Sequence, residues 1–229
     1  MASSNRWITP RTFRFFRELA AHNDRDWFNA NKQRYHDEVR DPLLGLVEAF
    51  APKLEKLSPC LVADSRPNGG SLFRIYRDTR FSKDKRPYKT YAGLTFRHHA
   101  SGRDLAAPGF YLHVEPGRVF TAGGMWHAPT DALQKVREAI VTHPERWKRV
   151  TRGRARALDA GSDTLKRAPR GFDPEHPLVG DLKRKGYTKS VAFTQKQACA
   201  PDFLNRVAQA CRQSLPLMEF LADAVGIDW

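Results

Sequence analysis

The spacing of apolar residues changes once along this chain, and that change constrains the fold more than any other feature. Up to about residue 58, apolar side chains recur at intervals of three and four, which predicts helices. From Ser71 onward they alternate with polar side chains in short runs rich in aromatic and β-branched residues, which predicts strands. Helices, then adjacent strands, then helices again indicate an α+β fold with a mainly antiparallel sheet and helices packed on one of its faces.

Prolines, caps and turn residues divide the chain into predicted elements of one domain. The domain comprises helices over 9–58, a sheet over 71–123, helices and loops over 129–187, and C-terminal helices over 201–225. The predicted strands are 72–78, 92–97, 110–115 and 118–122, with a further one over 190–194. Residues 151–176 are basic and contain few large apolar side chains, so we expect a long loop there.

Composition excludes several classes of protein. Of the 229 residues 41% are hydrophobic, which is too many for a disordered chain. The three cysteines are far apart, so the sequence supports neither a disulfide framework nor a cysteine zinc site. No signal peptide or membrane span is apparent, which predicts a cytoplasmic protein with no membrane partner. No cofactor is predicted, and the sequence makes no prediction about oligomeric state.

Positive charge is concentrated in two segments of a chain whose formal net charge is +14. Residues 66–103 and 146–189 each carry a net charge of +8. If the two segments meet in the fold, they form one positive basin whose natural partners are phosphates or nucleic acid. If they point apart, each is an ordinary solvated surface.

Alternation along the strands predicts which side chains share a face of the sheet. An apolar face is predicted from Phe73, Ile75, Leu94, Phe96, Leu112 and Val114. The opposite face is predicted to carry Arg74, Tyr76, Asp78, Thr95, Arg97, Tyr111, His113 and Glu115. This set is either an ordinary wet face with ion pairs across strands or a binding surface.

The segment from Arg74 to Tyr91 interleaves aromatic side chains with Arg and Lys. Arginine binds phosphate oxygens in a bidentate manner, and tyrosine offers a hydroxyl and a stacking surface. The predicted ligand-binding residues are Arg74, Tyr76, Arg77, Asp78, Arg80, Lys85, Tyr88, Lys89, Arg97 and Tyr111. We expect Arg74, Arg77 and Arg80 to contact an anion, unless Asp78 and Asp84 neutralise them instead.

His113 and Glu115 are the predicted catalytic pair. They lie two residues apart on a strand, so their side chains are neighbours, and His113 could act as a general base oriented by Glu115. With Asp78 they could also form a metal site, but the nearby arginines would repel a cation, so no metal is predicted. No G-x-S-x-G or G-x-G-x-x-G motif is present.

Several blocks of this sequence resemble a known family. They are F-R-F-F-R-E-L-A-A-H-N-D-R-D-W-F from Phe13, R-I-Y-R-D-T-R-F-S-K-D-K-R-P-Y-K from Arg74, G-F-Y-L-H-V-E from Gly109, and L-K-R-A-P-R-G-F-D-P-E-H-P from Leu165. Together they resemble a widespread bacterial and fungal family of conserved proteins of unknown function, about 220 residues long. The resemblance implies a single domain and no particular activity.

Three hypotheses of different classes follow. In the first, the polar sheet face and the basic hairpin bind an anionic ligand such as a phosphorylated small molecule, with His113 available for catalysis. In the second, the same basic and aromatic surface binds nucleic acid. In the third, the protein is an interaction protein whose charges serve only solvation. The sequence leaves open whether the protein is an enzyme.

Overall fold

The N-terminal part of the chain is helical, as predicted. A computed structural model describes residues 7–100, 107–152, 158–159 and 163–229. Its first helices are α1 (Pro10–Ala21), α2 (Arg25–Ala30) and α3 (Lys32–Tyr35), followed by a π-helical turn (His36–Arg40) and α4 (Asp41–Glu55). Pro10 occupies the first position of α1, and the Asp24 carboxylate accepts a hydrogen bond from the Trp27 N–H at 2.9 Å, which caps α2.

A five-stranded antiparallel sheet follows, with its strands in chain order. The strands are β1 (Leu61–Val62), β2 (Ala92–His98), β3 (Gly109–Glu115), β4 (Arg118–Met125) and β5 (Tyr187–Phe193). Strands β2, β3 and β4 agree with prediction, although β4 extends to Met125. With the flanking helices, this sheet confirms the α+β fold.

The remaining helices lie between β4 and β5 and after β5. They are α5 (Thr130–Thr142), α6 (Pro144–Thr151), α7 (Val179–Leu182), α8 (Gln195–Ala198) and α9 (Phe203–Val225). Pro216 lies inside α9 without ending it. The N-terminal half of α9 packs in the apolar cluster of α1, α4, β2 and β3, and its C-terminal half packs in a second cluster with α5 and α6.

Helices cover one face of the sheet, which is the predicted apolar face. Leu94, Phe96, Leu112 and Val114 are buried there, and so is Ile75. Helix α9 passes under β4, where the Cys211 sulfur lies 3.7 Å from the Thr121 hydroxyl. The opposite face is therefore free to form a site.

The prediction for Phe73 was wrong, because its side chain lies on the polar face of the sheet. Its ring is 6.1 Å from that of Tyr111. The predicted strand over 72–78 is present only as two isolated bridges, Leu72 with Leu94 and Tyr76 with Tyr88. Leu72 and Ile75 are both buried although they are three positions apart, so the backbone turns between the two bridges and the alternation is broken.

The expected loop over 151–176 falls partly outside the described residues, since 153–157 and 160–162 are not described. The described residues between Arg152 and His176 form no regular helix or strand, apart from a bridge between Thr164 and Arg184. Among the helices of the described chain, none is long and apolar enough to cross a membrane.

Candidate functional site

The polar face of the sheet is built in rows that run across the strands. Strand pairing puts four residues of neighbouring strands side by side in each row. The first row, here called the glycine row, is Arg97, Gly109, Gly124 and Thr188. The next rows are Thr95, Tyr111, Ala122 and Ser190, then Gly93, His113, Phe120 and Ala192, and the last pair is Glu115 with Arg118. At the two glycines of the glycine row no side chain covers the sheet, so a ligand could approach the backbone there.

A groove of about 880 Å³ lies over these rows. Aromatic rings line much of it, and its remaining lining is mostly small or polar. The rings belong to Phe73, Tyr91, Tyr111, Phe120 and Trp126. A ligand in this groove would meet flat apolar surfaces in the middle and polar groups at the ends.

Tyr111, His113 and Glu115 form a hydrogen-bonded chain along β3. His113 Nε2 lies 3.0 Å from the Glu115 carboxylate, and Nδ1 lies 2.9 Å from the Tyr111 hydroxyl. Because a carboxylate only accepts, the ring donates from Nε2–H to Glu115, and its Nδ1 accepts from the Tyr111 O–H. The predicted pair of His113 and Glu115 is therefore in contact, but both ring nitrogens are already engaged.

Aromatic rings enclose His113 on both sides. Tyr91 and Phe120 lie 4.6 and 4.9 Å from its ring centre, and only 6% of the residue is exposed. Burial lowers the pKa of His113, although Glu115 opposes the effect. Burial also raises the pKa of Tyr111. Both groups are consequently neutral near pH 7, as their hydrogen bonds require.

The low pKa of His113 makes a specific pH dependence expected. Below its ordinary pKa of about 6.5, the unfolded chain binds a proton at this residue and the folded protein does not, so stability falls as the pH falls. We expect the stability of wild type relative to His113→Gln to decrease between about pH 7.5 and pH 5.5, by at most about 1.4 kcal/mol per pH unit. Urea unfolding at several pH values measures this. His22→Gln removes an exposed histidine and is the control. If the difference in unfolding free energy between wild type and His113→Gln does not change with pH, the lowered pKa of His113 is contradicted.

An arginine lies at each end of the groove. Arg97 belongs to the glycine row. Arg118, the first residue of β4, pairs with Glu115 at the other end of β3, which is about 20 Å from the glycine row at a rise of about 3.3 Å per residue. Neither guanidinium has an ion-pair partner among the described residues, and Arg118 lies 5.0 Å over the Phe120 ring. The groove therefore offers positive charge at both ends.

Asp159 closes the β5 side of the groove and is fully engaged. Its carboxylate accepts hydrogen bonds from the hydroxyls of Thr188 at 2.8 Å and Ser190 at 2.7 Å. It also accepts from the backbone N–H of Ser190, while its own N–H donates to the Thr188 carbonyl. Because those donors hold the carboxylate, Asp159 acts as a fixed part of the wall.

The predicted binding residues of the hairpin lie apart from the rows, and most of their charges are paired within the hairpin. Arg77 forms a salt bridge with Asp84 at 2.5 Å, and Arg80 with Asp78 at 2.7 Å. The Arg86 and Arg77 guanidiniums lower the pKa of Asp84, and the Arg80 guanidinium lowers that of Asp78 to about 2. Lys85 donates to the Thr79 carbonyl at 3.0 Å. Arg77 and Arg80 are thus neutralised by Asp84 and Asp78, which was the predicted alternative to contact with an anion.

The base of the hairpin is held against the helices and borders the groove. Tyr88 stacks on Phe28 at 4.1 Å, and the Asn23 side chain makes two hydrogen bonds to the Tyr88 backbone. Lys89 donates to the Arg74 carbonyl, and burial lowers its pKa, with Arg74 adding to the shift. The Arg74 side chain is exposed. Of the ten predicted ligand-binding residues, only Arg97 and Tyr111 line the groove.

The tip of the hairpin presents aromatic surface to solvent. Phe81 is 95% exposed there, with Arg80 lying 5.9 Å over its ring. Tyr76, which pairs with Tyr88 at the base of the hairpin, is 51% exposed. Trp126 is also largely exposed, at the groove rather than on the hairpin.

Sequence reasoning missed several residues of the groove. Tyr91, Arg118 and Phe120 could have been found, because alternation puts Phe120 and Arg118 on the outer face of β4. Trp126 and Asp159 lie outside the predicted strands, so no periodic signal marks them.

Comparison with known proteins gives one family. A family model described as a conserved hypothetical protein, DUF2461, matches residues 11–220. A search of curated proteins finds no match.

Proposed function

The chain belongs to the DUF2461 family of conserved hypothetical proteins, and because that membership assigns no activity, we propose a function from the groove itself. The groove binds an elongated anionic ligand, of which a phosphorylated small molecule with a planar part is the best match. Its anionic group lies on the glycine row beside Arg97, and its planar part lies on the aromatic rings toward Arg118.

The observation that carries this proposal is the contrast between two sets of arginines. Arg77, Arg80 and Arg86 each have an aspartate partner, whereas Arg97 and Arg118 in the groove have none among the described residues. An unpaired guanidinium beside two glycines is suited to bidentate contact with a phosphate. The proposed anion contact therefore lies in the groove and not on the hairpin, where the density of arginine and lysine in the sequence predicted it.

A catalytic role for His113 and Glu115 is part of the same proposal. With the Tyr111 O–H on Nδ1, the ring has no free lone pair, so the described arrangement binds a ligand without acting as a base. A substrate hydroxyl that displaced Tyr111 would meet that lone pair while Glu115 still held Nε2–H, which is the geometry of an oriented general base.

A thermal-shift panel tests the binding proposal. Inorganic phosphate, mononucleotides and sugar phosphates are added at about 200 mM salt, where interactions of exposed charges are largely screened. We expect at least one compound to stabilise the wild type and to bind Arg97→Gln about 10- to 100-fold more weakly, since a charge-assisted hydrogen bond contributes about 1.5–3 kcal/mol. Arg118→Gln should also weaken a ligand that is anionic at both ends.

Arg80→Gln is the matched control, because it removes the same charge from the hairpin and leaves the groove unchanged. The proposal requires that this variant bind as the wild type does. Equal losses of affinity in Arg80→Gln and Arg97→Gln would mean that the compounds respond to net charge alone. If none of the compounds in the panel stabilises the wild type, the proposal is contradicted outright.

Nucleic-acid binding is the second candidate, and the exposed Phe81 and Tyr76 on a basic hairpin favour it. Exposed aromatic side chains beside cationic ones are suited to stacking with unpaired bases. Contact with about six to ten phosphates would weaken binding about 10³- to 10⁵-fold between 50 and 200 mM salt. Tight binding of single-stranded DNA or RNA with that salt dependence, lost in Phe81→Ser, would favour this candidate over the groove.

A further inference from the structure

We propose that Cys60, His98 and His99 form a binding site for a zinc-type divalent cation at the edge of the sheet. One potential ligand atom from each residue lies within 4.8 Å of the others. A search of the described residues for three or more histidine, cysteine or carboxylate side chains close enough together to hold a metal ion finds this group. The site is independent of the groove and of the function proposed for it.

The backbone brings these three residues together at the end of β2. Strand β1 pairs Leu61 with His98, which places Cys60 next to the end of β2. The backbone N–H of His99 then donates to the Cys60 carbonyl at 2.7 Å. Adjacent residues in a strand normally point to opposite faces, but the chain turns after His98, and the two imidazole rings stack at 4.6 Å.

The hydrogen bonds of both rings match the pattern of metal-binding histidines. Such a histidine usually donates one ring N–H to a carbonyl or carboxylate and coordinates through the other nitrogen. His99 Nδ1 donates to the Cys60 carbonyl at 3.1 Å, which leaves Nε2 as the ligand atom. Since the Ala100 N–H donates to His98 Nδ1 at 3.1 Å, His98 Nε2 carries the proton and donates to the Asp228 carbonyl at 2.7 Å. A metal would replace the Ala100 contact.

The ligand set and its dimensions fit zinc. One thiolate and two imidazoles are soft to borderline donors, which suit Zn²⁺ better than Mg²⁺ or Ca²⁺. Zn–S and Zn–N bonds of about 2.3 and 2.0 Å in a tetrahedron place ligand atoms about 3.3–3.5 Å apart. Small side-chain rotations of the three residues would close the difference from 4.8 Å, and a fourth position remains for water or another ligand.

The site lies on the opposite face from the groove. Arg97 lines the groove, and alternation turns its neighbour His98 inward, where that residue is 3% exposed and its ring lies 6.3 Å from the ring of Trp229. Its ligands come from the turn just before β1, the end of β2 and the turn that follows β2. A bound cation would therefore cross-link the short β1 strand to the sheet.

Metal titration of the purified full chain, kept reduced with a phosphine, tests the proposal. With Co²⁺ as the probe, we expect a thiolate-to-metal charge-transfer band that saturates at one equivalent. With Zn²⁺ in competition with a chelating dye, we expect Cys60→Ser to weaken binding about 100-fold or more, because loss of an outer-shell contact alone typically costs about 10- to 100-fold. His99→Gln should have a similar effect, and its exposed position makes the variant safe for folding.

Cys199→Ser is the control, since it removes another partly buried free thiol, which follows β5 at the other edge of the sheet from β1. The proposal requires that this variant bind Co²⁺ and Zn²⁺ as the wild type does. It is overturned if the wild type shows no charge-transfer band, or if Cys60→Ser retains the zinc affinity of the wild type. Comparable losses in Cys60→Ser and Cys199→Ser would also overturn it.

Discussion

The Gly124→Ala variant is expected to lose about 3–5 kcal/mol of unfolding free energy, the combined cost of a strained backbone and an overpacked contact. Gly124 has a φ of +140°, a conformation that residues with a side chain rarely adopt. A methyl group there would overlap the Tyr187 carbonyl and approach Thr188 Cα to 2.8 Å. Strands β4 and β5 would have to separate in the glycine row, so the groove would be lost with the stability.

Gly117→Ala is the matched control for this variant. Gly117 also has a positive φ, of +79°, but a methyl group there meets no atom within 4 Å. Its cost should be about 1–2 kcal/mol. Thermal unfolding measures both, with about 2–4 °C expected per kcal/mol for a chain of this size. Equal shifts for the two variants would mean that the close approach of β4 and β5 is not as described.

Trp147→Ala is the second variant with a large expected effect, about 3–5 kcal/mol. Trp147 is completely buried in the second apolar cluster, where its ring lies 5.1 Å from Phe220 and 5.5 Å from Tyr187. Its indole N–H donates to the Asp181 carboxylate at 2.8 Å. Truncation would leave a cavity and remove that hydrogen bond, which together loosen the packing of α6 on α9.

Trp126→Ala provides the comparison, because Trp126 is 69% exposed. Its loss should change the unfolding free energy by no more than about 0.5 kcal/mol. Urea unfolding measures the free energy that each variant loses. The difference between the two losses reports the effect of burial, since both variants remove the same indole side chain. A Trp147→Ala variant as stable as Trp126→Ala would show that the second cluster contributes little to the fold.

The central strands could be predicted because one of their faces is buried. In β2 and β3 the alternation of Leu94, Phe96, Leu112 and Val114 with polar neighbours has one solution, since a shift of one residue would expose every apolar side chain. The same alternation correctly put Tyr111, His113 and Glu115 together. Their contact could be predicted because it depends only on the two-residue spacing within β3 and not on how neighbouring strands pair.

Residues 72–78 show where alternation fails. Leu72, Phe73 and Ile75 are all apolar, and the sequence offers no sign that the backbone turns between the bridges at Leu72 and Tyr76. Tertiary contacts decide it instead: Phe73 packs on Tyr111, and Asn23 holds the backbone of Tyr88. Those contacts join distant segments, so local spacing could not reveal them.

Charge counts alone could not locate the candidate anion contact. The hairpin has the highest density of Arg and Lys, but its Asp78 and Asp84 lie within reach of Arg80 and Arg77. Arg97 was predicted among the binding residues, while Arg118 was not. What distinguishes both from the hairpin arginines is the absence of an ion-pair partner among the described residues, which is a property of the fold.

A crystal structure of the protein with inorganic phosphate, or with the most stabilising phosphate compound of the panel, would show directly where the anion binds. We expect a phosphate group on the glycine row, with its oxygens about 2.7–2.9 Å from the Arg97 guanidinium. Binding of the phosphate at the hairpin tip between Arg77 and Arg86, with no density in the groove, would contradict it.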